Sequence, residues 1–551
     1  MRSLLTLALA ALVAPATVRA AEPPVTFHTQ PVSRVLDDLR AAADLVGGER
    51  AVKALNGSIR EKFGEKGLTG LDAERPVFGY VSVAEKAEDI VAVVALPFTA
   101  EKEFLALYER AAGAAPKDLG KGVYEVFAEE KSKGLMRFSN RYAYIAIGAK
   151  PEGALDDKAL VPANKVVDPA EPAIFTGKFH FDRLPPEVLK AVPRHIADFK
   201  KEIENNAGGL PIGQQELGVF KPLFEEMEKM VGRYTVLLAG TDTATLRVGL
   251  DVGSGDLSTE FALKGKPDSA LSKAIAARKP TTNKFGALLT PDTVAGFKVR
   301  LPLFSDEVRT GIAKTLEEGQ KLVPQNEPGK AAADELFKGL VRTVKAGEFD
   351  IVGGVRGPNK DGDFALVAAV AFEDGAALEK EFKKFVQAQA PQDEQERFKW
   401  DADKAGKVSI HTYKPSGGPG VFGEIGKPFG DGKALLAFAF APNGVFVVLG
   451  PDPVPAVKAA LAAQPADAPV LDVLVNPARM KKFVEKAEGQ GADVERALGA
   501  DDKLMSALSL GVTGGKELRV RFAINLRLLP RAAASGSAFD ADKTEPKLDK
   551  K

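Results

Sequence analysis

The chain has 551 residues, 75 of them Lys or Arg and 75 Asp or Glu, so its formal net charge is zero. No overall field draws it to nucleic acid or to an anionic membrane, and a site for either would have to be local. Cysteine is absent, which excludes disulfide staples, thiol nucleophiles and thiolate metal sites and leaves stability to ordinary apolar cores.

The start reads Met1-Arg2-Ser3, then an apolar run from Leu4 to Val13, then Pro15 and the small-residue site Val18-Arg19-Ala20. A basic start, an apolar run too short to span a bilayer and a cleavage site after Ala20 predict a signal peptide over residues 1–20. The mature chain is then exported, periplasmic or extracellular, with no transmembrane segment. After a polar lead containing His28, the spacing of Val35, Leu36, Leu39 and Leu45 predicts a helix capped by Ser33 and ended by Gly47-Gly48. A second helix over residues 49–63 carries Val52, Leu55 and Ile59 on one face.

Gly70-Leu71-Asp72-Ala73-Glu74-Arg75-Pro76 then turns the chain into a strand from Val77 to Val83, and a further apolar run ends Leu96-Pro97-Phe98. Paired helices, this Gly-Leu-Asp-x-x-Arg-Pro stretch and a strand ending Leu-Pro-Phe resemble a family of uncharacterised secreted bacterial proteins with no assigned function. The resemblance covers about the first half of the chain and implies no catalytic residue.

A repeat is written across the two halves. The strand-like runs Ile90–Phe98 and Phe364–Phe372 are each followed by a helical pattern, with Phe104, Leu105 and Tyr108 on one face in the first and Leu378, Phe382, Phe385 and Val386 in the second. Thr99 is placed to cap the first of these helices. Alternating strands follow at Val123–Phe127 and Val408–Tyr413, then two hairpins, Leu135–Ile147 and Leu435–Leu449, the second turning at Pro442-Asn443-Gly444. Pro172–Phe179 answers Pro469–Asn476, and Leu246–Val252 answers Leu518–Ile524. The alternative is two independently patterned α+β domains. In the stretch Leu246–Val252, Leu246, Val248, Leu250 and Val252 are expected to face inward.

The expected fold is therefore α+β: two tandem, diverged copies of an antiparallel or mixed sheet, with helices packed mainly on one face. The first copy spans residues 21–280 with a helical insertion near 183–231, the second 284–531, and residues 532–551 form a charged, disordered tail.

Chemistry is sparse. Gly418-Pro419-Gly420-Val421-Phe422-Gly423 fits the dinucleotide pattern, but Gly426 and Pro428 forbid the helix that the fingerprint needs. His28, His180, His195 and His411 are too scattered for a local metal signature. His195 and Asp198 lie one helical turn apart and His180 and Asp182 on one strand face, so a hydrolase would need these four, or a carboxylate pair, to converge in one cleft. In Lys433–Phe440 the bulky Leu436, Phe438 and Phe440 share one face and Ala437, Ala439 and Ala441 the other. The bulky face needs a core or an apolar ligand, whereas Tyr142 and Tyr144 read as sheet packing.

No catalytic, cofactor-binding or metal residue is assigned. The reading is a non-catalytic extracytoplasmic binding or structural-interaction protein with a protein or apolar small-molecule partner and no nucleic acid. An apolar or lipid-like ligand carrier and a hydrolase with a His/Asp or carboxylate-pair site are the alternatives.

Overall fold

The computed structural model describes residues 22–82, 90–129, 132–184, 240–278, 282–302, 306–323, 329–415, 426–430, 432–489 and 491–529. The stretches expected as a signal peptide (1–20) and a charged tail (532–551), His195, Asp198 and residues 418–423 lie outside these, as does nearly all of the stretch 183–231 expected as a helical insertion. The chain divides at Arg278/Lys279 into two compact units, residues 514–520 belonging with the first.

The first unit contains β1 (Val25–Pro31), α1 (Val32–Phe63), β2 (Pro76–Ser82), β3 (Val91–Pro97), α2 (Glu101–Ala112), β4 (Lys117–Asp118), β5 (Val123–Glu129), β6 (Ser132–Ser139), β7 (Tyr142–Gly148), β8 (Phe175–His180), β9 (Thr241–Asp251), β10 (Asp256–Gly265) and α3 (Ala270–Ala276). Its strands run in the order β4-β5-β6-β7-β3-β2-β1-β8-β9-β10, every ladder antiparallel.

One face of this sheet buries Phe78, Tyr80, Val93, Tyr142 and Tyr144 beneath Leu155 and Val166 of the segment after β7. The Tyr144 hydroxyl donates to the Val161 carbonyl at 3.2 Å, and burial pushes its pKa up to about 12. On the other face Phe104 of α2 packs against Met136, Ala143 and Phe138, which follows from the alternation of side chains along a strand.

Local signals held in part. Helix α1 is broken at Gly48, whose φ of 61° and ψ of −157° are not helical, and its N-cap is Pro31 rather than Ser33. None of its residues is fully buried. Helix α2 is capped at Ala100 without a side-chain bond, because Thr99 donates to the Glu103 carboxylate instead. On β9, Leu246, Val248 and Leu250 are only half-buried, and Val252 lies past the strand's end and is exposed, so that strand's apolar face is less enclosed than its alternation suggests.

The second unit contains β11 (Thr282–Asn283), β12 (Thr293–Pro302), α4 (Asp306–Lys321), α5 (Lys330–Lys345), β13 (Glu348–Arg356), β14 (Ala365–Ala371), α6 (Gly375–Gln389), α7 (Gln392–Gln395), β15 (Phe398–Ala405), β16 (Val408–Tyr413), β17 (Leu435–Ala441), β18 (Gly444–Gly450), α8 (Val454–Ala462), β19 (Ala466–Asp467), β20 (Leu471–Val475), α9 (Pro477–Glu488), α10 (Gly491–Leu498) and β21 (Met505–Thr513). The order is β15-β16-β17-β18-β14-β13-β12-β20-β21, again antiparallel throughout, and β11 pairs separately with β19.

Strand β17 shows why helices close on this sheet from both sides. Its Ala437, Ala439 and Ala441 meet Val457 and Ala460 of α8, since methyl side chains let a helix backbone come near. Its Phe438 and Phe440 meet Leu378 and Phe382 of α6 together with Phe372. Asp374, in the left-handed region, starts α6 and accepts the Ala377 amide hydrogen. Among the described residues no helix is long and apolar enough to cross a membrane.

Candidate functional site

Helix α6 places Glu379 and Lys383 one turn apart, on the side that looks onto the β15–β16 hairpin. On β16, His411 is fully buried against the rings of Trp400 and Phe438, with centroids at 5.2 and 5.3 Å. On β15 the ladder with β16 is irregular between Lys399 and Asp403, and Asp401 sits in that bulge with a φ of 51°. A bulge aims the extra residue off the sheet plane. Here it turns the Asp401 backbone N–H toward the imidazole.

The four groups are tied together. Asp401 N–H donates to His411 Nδ1 at 3.0 Å, and His411 Nε2 lies 3.1 Å from Glu379 Oε1. Lys383 Nζ donates to the same Glu379 oxygen at 2.7 Å and to Asp401 Oδ2 at 3.3 Å, and stands 5.5 Å over the Trp400 ring. Because Nδ1 accepts a backbone hydrogen it carries the lone pair, so the neutral ring holds its proton on Nε2 and donates it to Glu379.

Electrostatics agree with that tautomer. Burial is the chief cause holding the His411 pKa below its ordinary value, and the Lys383 charge adds to it, against the opposing pull of Glu379 and Asp401. The Ser409 hydroxyl and Lys383 lower the Asp401 pKa despite partial burial. Burial works against the Lys383 ammonium, but its bonds to Glu379 and Asp401 outweigh it and raise its pKa.

Donor atoms of Glu379, Asp401 and His411 all lie within 4.8 Å of one another, a spacing a metal ion could bridge. The donor chemistry does not fit one. A ligating imidazole offers a lone pair while its other nitrogen donates, whereas here the lone pair is spent on a backbone amide and the proton faces a carboxylate. Lys383 already supplies the cation that the two carboxylates need. With His411 at 0% exposure, the ring offers no atom at the surface of this structure, where a general base has to reach its substrate.

Of the residues singled out from the sequence, His411 belongs to this cluster, while His28, His180 and Asp182 are placed elsewhere. His180 ends β8 and Asp182 lies in the 3-10 turn that follows, so the two do not share a strand face. Burial, then Arg183, lowers the His180 pKa. His28 on β1 is buried, with Nδ1 3.4 Å from the Thr29 carbonyl. The bulky face of β17 is filled: Phe382, Phe398, Trp400 and Phe440 all stand within 6.4 Å, centroid to centroid, of Phe438. A shallow cleft of about 400 Å³ opens instead at the hairpin ends, lined by Ala405, Val408, Ala441, Pro442 and Leu461, with no titratable side chain among its lining residues.

Sequence reading missed the cluster because Glu379 lies 32 positions before His411. The available signal was Glu379 and Lys383 at helical i,i+4 spacing, just before a hairpin that holds the only tryptophan of the chain. No protein-family model, no curated protein and no solved structure matches the chain.

Proposed function

We propose that this chain is a non-catalytic, exported binding or structural-interaction protein made of two diverged copies of one α+β unit. The observation that carries the non-catalytic reading is that both ring nitrogens of the buried His411, and the Glu379 and Lys383 charges, are met from within the cluster, with only the Asp401 carboxylate open to solvent. A catalytic group needs an open valence toward substrate.

Duplication is supported by register, which is stricter than element order, since a slip of one residue turns every side chain to the other face. Ala95 lies opposite Tyr144 across β3–β7, and Ala369 opposite Phe446 across β14–β18. The β6–β7 and β17–β18 hairpins each turn in two residues, Asn140-Arg141 and Pro442-Asn443. Phe27 lies opposite Gly79 across β1–β2, and Phe297 opposite Gly353 across β12–β13. In both places the phenyl ring covers the glycine, so that an added Cβ would stand 2.3 Å from the Phe27 ring and 2.8 Å from the Phe297 ring.

The same registers refine two of the matches read from sequence. Phe27 also lies opposite Gly177, and Phe297 opposite Val473, so β8 and β20 correspond one residue away from the Pro172/Pro469 match. The strand beside β20 is β21, so β9 corresponds to Met505–Thr513 rather than to Leu518–Ile524.

Native mass spectrometry of the chain purified from the extracytoplasmic fraction tests the reading. A mature chain starting near Ala21, of bare mass or a multiple of it, is expected. A small-molecule mass released on denaturation would favour the apolar-ligand carrier instead.

A further inference from the structure

Strand β15 stands at the edge of its sheet, and among the described residues its only ladder is with β16. Between Lys399 and Asp403 that ladder is interrupted, so side chains do the work that backbone pairing does elsewhere. Asp401 N–H is held by His411 Nδ1, and the Asp401 carboxylate by Lys383 of α6. The imidazole thus joins three elements: its own strand, the edge strand, and α6 through Glu379.

We propose that His411 is an acid-released latch, whose protonation breaks the bond that holds the Asp401 backbone in the bulge and loosens the middle of the edge strand against β16. The neutral ring already bears hydrogen on Nε2, so a second proton can enter only at Nδ1. That atom faces the Asp401 amide hydrogen. Two donors then oppose each other at 3.0 Å, a contact that has to open.

The charged groups facing His411 are Glu379 and Lys383 from α6 and Asp401 from β15. Strand β17 presents only the Phe438 and Phe440 rings. Burial and Lys383 disfavour the imidazolium, and the two carboxylates favour it, with the first pair prevailing. A histidine whose pKa is lowered in the folded state contributes stability that is fully present above its ordinary value of 6.5 and is lost as the pH falls through the folded value. The latch is therefore closed at neutral pH and opens on the acid side of 6.5.

Trp400 is the only tryptophan and packs edge-on to His411, so its emission reports the surroundings of the imidazole. The test titrates tryptophan fluorescence of the full mature chain from pH 8 to pH 4, with far-ultraviolet circular dichroism followed in parallel. The expected result is a one-proton change in emission with its midpoint below 6.5, at unchanged circular dichroism, that is absent in His411→Gln. Lys383→Met should move the midpoint up and Glu379→Gln should move it down, and these two variants decide the matter if His411→Gln does not fold. Emission that stays flat, a transition that persists in His411→Gln, a charge variant that shifts it the wrong way, or a change that coincides with loss of circular dichroism overturns the proposal.

Discussion

One row of the sheet is finished differently in the two units. In the first, His28 of β1 lies opposite Thr176 of β8; in the second, Lys298 of β12 lies opposite Asp472 of β20. The Lys298 ammonium stands 3.7 Å from Asp472 Oδ2, and the Ser506 hydroxyl donates to Oδ1 at 2.6 Å. By contrast, His28 Nε2 and Thr176 Oγ1 are buried with no hydrogen-bond partner among the described residues. The same backbone frame therefore tolerates either a self-satisfied ionic row or one with two unmatched polar atoms, each of the latter costing about 1–3 kcal/mol unless a water reaches it.

The largest test of the correspondence is the aromatic beneath each central hairpin. Phe446→Ala and Tyr144→Ala should each cost about 4 kcal/mol in denaturant unfolding, whereas Tyr144→Phe, which imitates the other unit, should cost about 1 kcal/mol for its lost bond to Val161. A Tyr144→Phe penalty as large as that of Tyr144→Ala would mean the two positions are not equivalent.

The ionic row comes next. Removing the anion in Asp472→Ala strands Lys298 and should cost about 3 kcal/mol, read as a drop in thermal midpoint that added salt changes little. Should the variant match wild type, the row is ornamental.

Third, an added methyl separates the two glycines. At Gly79 it would meet the Val93 carbonyl oxygen at 2.6 Å as well as the Phe27 ring, and backbone cannot yield. At Gly353 it would meet the Phe297 ring, which is 41% exposed and free to swing outward. Gly79→Ala is expected to lose about 2 kcal/mol and Gly353→Ala clearly less; urea midpoints in the reverse order would refute this account of the rings. The smallest effect is a gain. Thr176→Val deletes an unmatched hydroxyl at constant shape and should stabilise by up to about 1 kcal/mol, unless a buried water is bound there, in which case calorimetry will show a loss.

The sequence carried the fold's alternations further than its contacts. Leu436, Phe438 and Phe440 separated from Ala437, Ala439 and Ala441 by period alone, because side-chain direction in a strand is a local property. Caps failed at Ser33 and Thr99, where the helices start two residues earlier and one residue later than expected. The cluster around His411 was out of reach for a different reason. Its members come from a helix, an edge strand and the next strand, and only the packing of α6 over an irregular hairpin brings them together. The bulge itself adds unpaired residues in β15, so counting along the hairpin would not have put Asp401 beside the imidazole.

In each unit the earliest strand of the main sheet lies in that sheet's interior, β1 between β2 and β8, and β12 between β13 and β20. Val25–Thr29 must therefore wait for Phe175–Phe179, and Ala295–Val299 for Leu471–Val475. Contacts this distant along the chain are costly to close and slow to form. Neither unit can complete its sheet while it is still being delivered, so assembly is a late event, and a polypeptide threaded to its destination in order would remain open until nearly all of each half had arrived.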